Sequence, residues 1–105
     1  MRKTIIANNK NLKWIINKEI KKYGYKADLN HIDVSNVENM TSMFENSKFN
    51  GDISKWGVSN VIEMDCMFLH SKITVKLKVD GKWNYWEDGI EVHEDKIIAN
   101  KLKVI

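Results

Sequence analysis

Three aromatic side chains stand close together near residue 85, and three lysines precede them. The cluster consists of Trp83, Tyr85 and Trp86 with Lys76, Lys78 and Lys82. Tryptophan and tyrosine are frequent anchors of protein interfaces, because each buries a large apolar surface and still carries a polar group. Aromatic rings between lysines can also stack on the bases of single-stranded nucleic acid. The cluster predicts a partner-binding surface, unless the rings only seal the end of the hydrophobic core.

A second group of residues suits a polyanionic ligand. Residues 1–28 hold eight Lys and Arg against two acids, whereas the whole chain has a net charge of +3. Five of these cations fall on one predicted helix, namely Lys10, Lys13, Lys18, Lys21 and Lys22. Such a surface could bind nucleic-acid phosphates. The alternative is that the lysines only keep the helix solvated.

Patterns for catalysis or metal binding are weak. His31, Asp33 and Asp52 could form an acid–base group, but hydrogen bonding within turns explains residues of these types at least as well. Cys66 and His70 are four apart and could share one helical face, yet a zinc site needs further ligands and only Asp65 is near. The chain contains no Gly-rich phosphate loop and no nucleophile elbow. We expect no enzyme activity, no cofactor and no bound metal.

These residues lie within or beside a sequence that occurs twice. Residues 32–48 and 56–72 match at a constant offset of 24. A fixed period of about 20–30 residues is typical of solenoids, in which each unit packs its apolar side against the next. The predicted core of the two repeats is Val34, Val37, Met40, Met43 and Phe44 with Val58, Val61, Met64, Met67 and Phe68. The apolar spacing predicts a turn followed by a short helical or 3₁₀ segment in each repeat.

The repeat resembles a known family. Its motif is Val-Ser-Asn-Val-x-x-Met-x-x-Met-Phe, at 34–44 and 58–68, with Phe-Asn-Gly-Asp-Ile-Ser-x-Trp between, at 49–56. Together with the stretch 29–35, this is similar to the BspA-type leucine-rich-repeat surface proteins of bacteria, over roughly residues 4–72. The resemblance implies a leucine-rich-repeat-like architecture and a binding role rather than catalysis. Family members usually carry many repeats and are often secreted, whereas this chain has about two repeats and shows no export signal.

The flanking segments predict a cover for each end of the repeats. A short strand near residues 3–7 precedes a helix over 9–23, which Asn8 or Asn9 can cap and Gly24 can end. After residue 72, apolar residues alternate with polar ones, and Asp-Gly pairs at 80–81 and 88–89 predict hairpin turns. Strands are expected over 73–79, 82–86 and 90–92, with further short strands at 96–98 and 102–104.

The predicted fold is therefore α+β: an N-terminal capping helix, two short leucine-rich-repeat-like units and a C-terminal antiparallel β-meander. The chain of 105 residues forms one domain, divided into 1–28, 29–72 and 73–105. The start lacks the apolar run of a signal peptide, and no stretch of about 18 apolar residues suits a membrane. With one cysteine and no possible internal disulfide, a cytoplasmic location is expected.

The function expected from these features is that of a small intracellular protein-binding module. A small chain with a shortened repeat and its own C-terminal addition suits a phage or mobile-element inhibitor of a host protein, such as an anti-CRISPR. The alternatives are a nucleic-acid-binding protein that uses the basic helix, and a protein that self-associates, for instance as a homodimer through an edge strand of the C-terminal sheet.

Overall fold

The computed structural model describes residues 2–71, 73–79, 82–87 and 90–92 and has the α+β fold that the sequence predicts. One helix and two small sheets flank the two repeats. In chain order the elements are β1 (Ile5–Ile6), α1 (Leu12–Tyr23), β2 (Ile32–Asp33), β3 (Val75–Val79), β4 (Lys82–Glu87) and β5 (Ile90–Val92). The predicted strands at 96–98 and 102–104 lie outside the described residues.

Helix α1 begins with a reciprocal pair of asparagines. The side-chain oxygen of Asn8 accepts hydrogen bonds from the backbone N–H groups of Lys10 and Asn11, and the side-chain oxygen of Asn11 accepts one from Asn8. This arrangement satisfies N–H groups that have no partner inside the helix, as in a capping box. At the other end Gly24 has φ 94° and donates its N–H to the carbonyl of Ile20. Gly24 therefore ends the helix as expected, whereas the helix begins at Leu12, three residues later than predicted, after Asn11, which makes no side-chain cap bond to it.

The N-terminal segment closes one end of the repeats. Strand β1 pairs in parallel with β2, in the register Ile5 to Ile32. The side-chain oxygen of Asn9 accepts the N–H groups of Glu38 and Asn39, at 2.8 and 3.2 Å. Helix α1 packs its buried residues Leu12, Ile15 and Ile16 into the common core. The first repeat is thus covered by elements that are not repeats themselves.

The two repeats stack through a regular backbone ladder. Four N–H groups of the first repeat, those of Met40, Ser42, Phe44 and Asn46, donate to the carbonyls of Glu63, Asp65, Met67 and Leu69 at 2.8–3.0 Å. Asn39 and Glu63 form the matching parallel bridge. Every bond spans 23 residues, so the sequence repeat is also a structural repeat.

The prediction of a helical or 3₁₀ segment inside each repeat is wrong. Residues 41–46 and 65–70 form consecutive turns, in which N–H groups bond carbonyls three residues earlier. Positive φ values of 56–59° occur at Ser42 and Asn46 and again at Cys66 and His70. A right-handed α- or 3₁₀-helix needs a negative φ at every residue, so it cannot continue through these positions. The apolar spacing resembled that of a helix because consecutive turns of this kind also place every third or fourth side chain in the core.

The core forms as predicted, with one difference between the repeats. Eight of the ten predicted repeat core residues are buried. Val61 and Met64 in the second repeat are only partly buried, although their equivalents Val37 and Met40 have no exposed surface. Phe44 lies at the centre, with ring centroids of Phe49 and Phe68 at 5.2 and 5.7 Å.

The C-terminal sheet has the strand order β3-β4-β5 and is antiparallel throughout. Its register pairs Val75 with Trp86 and Lys78 with Trp83. Ile73 and Leu77 are fully buried, which joins the sheet to the core of the repeats. The meander therefore covers part of the second repeat, as the sequence predicts.

Candidate interaction surfaces

The outer face of the hairpin β3–β4 brings together four of the six residues predicted to bind a partner. Lys76 pairs across the strands with Tyr85, and Lys78 pairs with Trp83. The two ammonium groups lie 4.8 and 5.9 Å from the centroid of the Trp83 ring, within the range of cation–π attraction. Trp83 remains 44% exposed. This group of Lys76, Lys78, Trp83 and Tyr85 is the hairpin face.

Trp86 belongs to the opposite side of the hairpin. Its ring centroid lies 4.8 Å from that of Phe68, and the side chain packs against the main core. The interpretation of the aromatic cluster as one binding surface is therefore wrong for Trp86, which covers the second repeat instead. Lys82 is exposed at the start of β4, opposite Val79.

A shallow groove of about 440 Å³ adjoins the hairpin face. Lys78 and Trp83 form one wall, and residues 54–59 of the second repeat and the link before it form the other. Trp56 is buried below this groove, where its indole N–H donates to the carbonyl of Leu29 at 2.9 Å. The hairpin face thus combines an exposed aromatic ring, two cations and a concave wall.

The helix lysines do not form one surface. Lys13 and Lys21 line a groove of about 640 Å³ beside residues 45–48. Lys18 and Lys22 line a different groove, on the other side of α1. Lys10 precedes the helix and is exposed. The helix lysines predicted to bind nucleic acid are therefore divided between two grooves.

The second of these grooves, here called the basic groove, gathers cations that the sequence did not indicate. Arg2, Lys3 and Lys55 join Lys18 and Lys22 around a volume of about 1020 Å³. Glu19 and Asp28 also line it, so five cations face two acids there. The Arg2 guanidinium lies 3.6 Å from the centroid of the Tyr23 ring and donates to the backbone carbonyl of Asp28.

A buried acid–imidazole pair lies at the base of the basic groove. Glu19 Oε1 is 2.5 Å from His31 Nε2, and both side chains are more than nine-tenths buried. Within the described part of the chain, His31 Nδ1 is buried without a hydrogen-bond partner. The pair ties helix α1 to the start of the first repeat. The sequence signal for it was a charged residue, Glu19, in line with Leu12 and Ile16 on the apolar stripe.

The proposed acid–base group of His31, Asp33 and Asp52 is not assembled. Hydrogen bonds from the backbone N–H and hydroxyl of Ser54 lower the pKa of Asp52, and equivalent donation from Ser35 lowers the pKa of Asp33. Both carboxylates therefore act as turn acceptors, while His31 pairs with Glu19.

Cys66 and His70 are both exposed and have left-handed backbone conformations. They are not on a helix, so the spacing that would align two zinc ligands does not apply. Among the residues that the structure describes, no group of three His, Cys, Asp or Glu side chains is placed to hold a metal ion.

Among the described residues, β3 and β5 are the two edge strands of the C-terminal sheet. Self-association through an edge strand stays a prediction. No helix in the described ranges is long and apolar enough to cross a membrane.

Comparison with known proteins finds one family. A family model described as a Mycoplasma protein of unknown function, DUF285, matches residues 10–88. The match covers helix α1 and both repeats, and it continues into the hairpin β3–β4. No curated protein and no solved structure matches the chain.

Proposed function

We propose that this chain, which belongs to the DUF285 family of Mycoplasma proteins of unknown function, is an intracellular protein-binding module without enzyme activity. The observation that supports this proposal is the exposed ring of Trp83, held between two lysines beside a groove. The BspA-like resemblance of the repeats agrees with a binding role.

The hairpin face suits a folded or extended acidic partner. Trp83 is fixed in a strand whose opposite face packs on the core, so little conformational entropy is lost when it is buried in an interface. Lys76 and Lys78 place positive charge at the edge of the ring, where carboxylates of a partner would be attracted. Tryptophan and tyrosine are among the residue types most enriched in interface hot spots.

Nucleic-acid binding is the second candidate, and the basic groove favours it. Arg2, Lys3, Lys18, Lys22 and Lys55 surround one concave surface, which could follow a phosphate backbone. The salt dependence of binding tests this candidate, because release of counterions makes phosphate binding weaken steeply between about 50 and 200 mM salt. A Lys18→Ala, Lys22→Ala variant should lose such binding, whereas the matched Lys13→Ala, Lys21→Ala variant should retain it.

The narrower hypothesis for the first candidate is an inhibitor that blocks a host protein, as a phage or mobile-element product would. A complex with a defence nuclease, such as a CRISPR effector, would support it.

The test is affinity capture from a nuclease-treated bacterial lysate with wild-type protein and two variants. Trp83→Ala should retain its fold and lose the captured protein. Lys76→Ala with Lys78→Ala should weaken capture and make it less sensitive to salt. A Trp83→Ala variant that captures the same protein in the same amount would overturn the proposal. Capture that nuclease treatment abolishes would favour the second candidate.

A further inference from the structure

The ladder between the repeats has a direction. All four inter-repeat bonds of the turn segment run from N–H groups of the first repeat to carbonyls of the second. The carbonyls of Met40, Ser42 and Phe44 accept bonds within their own turns instead. In this turn segment the first repeat therefore presents only donors toward the second, whereas just before it the carbonyl of Glu38 accepts the N–H groups of Ile62 and Glu63.

The second repeat presents the same donors. The equivalent N–H groups belong to Met64, Cys66, Phe68 and His70, here called the donor row. Cys66 and His70 have φ 56°, against 57° and 59° in Ser42 and Asn46, so the backbone that aims these groups is repeated as well. Over the described ranges, no carbonyl and no side chain accepts a hydrogen bond from the donor row.

The side chains beside the donor row also differ from those of an ordinary solenoid end. Ile62 is 77% exposed and Leu69 is 40% exposed, where the first repeat carries Glu38 and Glu45. Terminal units of solenoids normally have a polar outer face, which keeps them soluble. Here the terminal repeat has exchanged two acids for two apolar residues, and its Met64 is only partly buried.

The hairpin does not account for this surface. Trp86 packs over Phe68, on the core side of the second repeat. Ile62, Leu69 and Cys66 stay exposed with the hairpin in place. The donor row has no acceptor among the described residues and lies beside apolar side chains, and a partner chain can add its own backbone to an edge of this kind.

We propose that the donor row, with Ile62 and Leu69, is a docking edge for a segment of a partner protein that adopts the turn conformation of a repeat. The segment lies parallel to the second repeat and presents a row of carbonyl oxygens, as the second repeat does to the first. The occupant is a segment of this kind because the established interface between the repeats continues directly into this edge. A twofold dimer would bring two donor rows together, and donors cannot bond one another. The docking edge is separate from the hairpin face and does not rest on it.

Amide hydrogen exchange measured by NMR tests the proposal on the full chain. In dilute protein, the N–H groups of Met40, Ser42, Phe44 and Asn46 should exchange slowly, while those of the donor row should exchange at least about tenfold faster. The probe is a synthetic peptide of residues 32–47, which carries one repeat and no cysteine. Saturating peptide should slow exchange of the donor row by at least about tenfold, and a peptide of scrambled order should not.

A matched pair of variants distinguishes docking at this edge from non-specific binding of the peptide to apolar surface. Ile62→Glu with Leu69→Glu introduces the residues that the first repeat tolerates, so folding should persist while peptide affinity falls by roughly tenfold or more. Ile6→Glu changes another exposed isoleucine, which lies at the opposite end of the repeats, and should leave the affinity unchanged.

Three results would overturn the proposal. The first is a donor row already protected in dilute protein, which would mean that the chain covers its own edge. The second is protection that rises with protein concentration without peptide, which would assign the edge to a second copy. The third is unchanged exchange at millimolar peptide.

Discussion

The two repeats share a motif and a backbone, yet they differ in what surrounds them. The first lies between the N-terminal cover and the second repeat, and its Val37 and Met40 have no exposed surface. The second lies between the first repeat and a hairpin that covers only part of it, and its Val61 and Met64 are partly open. The shared motif therefore gives the two repeats the same backbone conformation, whereas the burial and stability of each repeat depend on the elements packed against it.

The largest expected effect contrasts the two equivalent methionines. Met40→Ala should lower the free energy of unfolding by about 2–5 kcal/mol, because it empties a fully enclosed site. Met64→Ala should cost about 1 kcal/mol, because its site is partly solvated. Urea denaturation of both variants measures the difference. Equal costs would show that the second repeat is as well covered as the first.

The second prediction concerns the cover of the second repeat. Trp86→Ala should cost about 2 kcal/mol of stability, since it removes the ring that packs on Phe68 but leaves strand pairing in place. Trp83→Ala is the matched change on the exposed face and should cost less than about 0.5 kcal/mol. Thermal unfolding of the two variants checks this order, and the reverse order would contradict the assignment of the two rings.

The third prediction concerns the cover of the first repeat. Glu19→Gln should cost about 1 kcal/mol, because the buried bond to His31 keeps its geometry but loses its charge. Glu63→Gln, at an exposed side chain in the second repeat, serves as the control and should be neutral. If both substitutions prove neutral in urea denaturation, the pair does not join α1 to the repeats.

The smallest effect is a pH dependence from the link between the repeats. Bonds from Ser54 hold the pKa of Asp52 below its ordinary value of 3.8. A lowered native pKa stabilises the fold above the unfolded pKa, and this contribution is lost as the pH falls through the native value. Asp52→Asn should therefore reduce the loss of Tm between pH 6 and 3, by less than about 4 °C. An unchanged acid profile would contradict this assignment.

Elements whose pattern is local could be predicted from the sequence. A periodicity or a turn signal marks the helix and its C-terminal end, the repeat core, and the strands near the Asp-Gly pairs, whereas the helix start was placed three residues too early. The turns inside the repeats could not, because their positive-φ positions hold Ser42, Asn46, Cys66 and His70 rather than glycine. The same apolar spacing then fits a short helix equally well.

The candidate surfaces depended on contacts between distant residues. Alternation along a strand is enough to place Trp83 and Tyr85 on one face and Trp86 on the other, but nothing local showed that Trp86 would pack on Phe68. The basic groove joins Arg2 and Lys55 to Lys18, and these residues are brought together only by the stacking of α1 on the repeats. The donor row follows from the register of the ladder. The 24-residue period indicates that the repeats stack, but it does not show which repeat donates the hydrogen bonds.

The directed ladder also bears on how such a chain can change in length. In the turn segment each unit offers N–H groups forward and carbonyls backward, and just before it the carbonyl of Glu38 accepts from the next unit. A copy of residues 48–71 inserted after the first repeat would therefore find matching donors and acceptors on both sides. The N-terminal cover and the hairpin would each keep the surface that they already contact. Tandem duplication can therefore lengthen this protein in steps of 24 residues without any change to its two ends. A duplication of the coding DNA is then sufficient to change the length of the repeat stack.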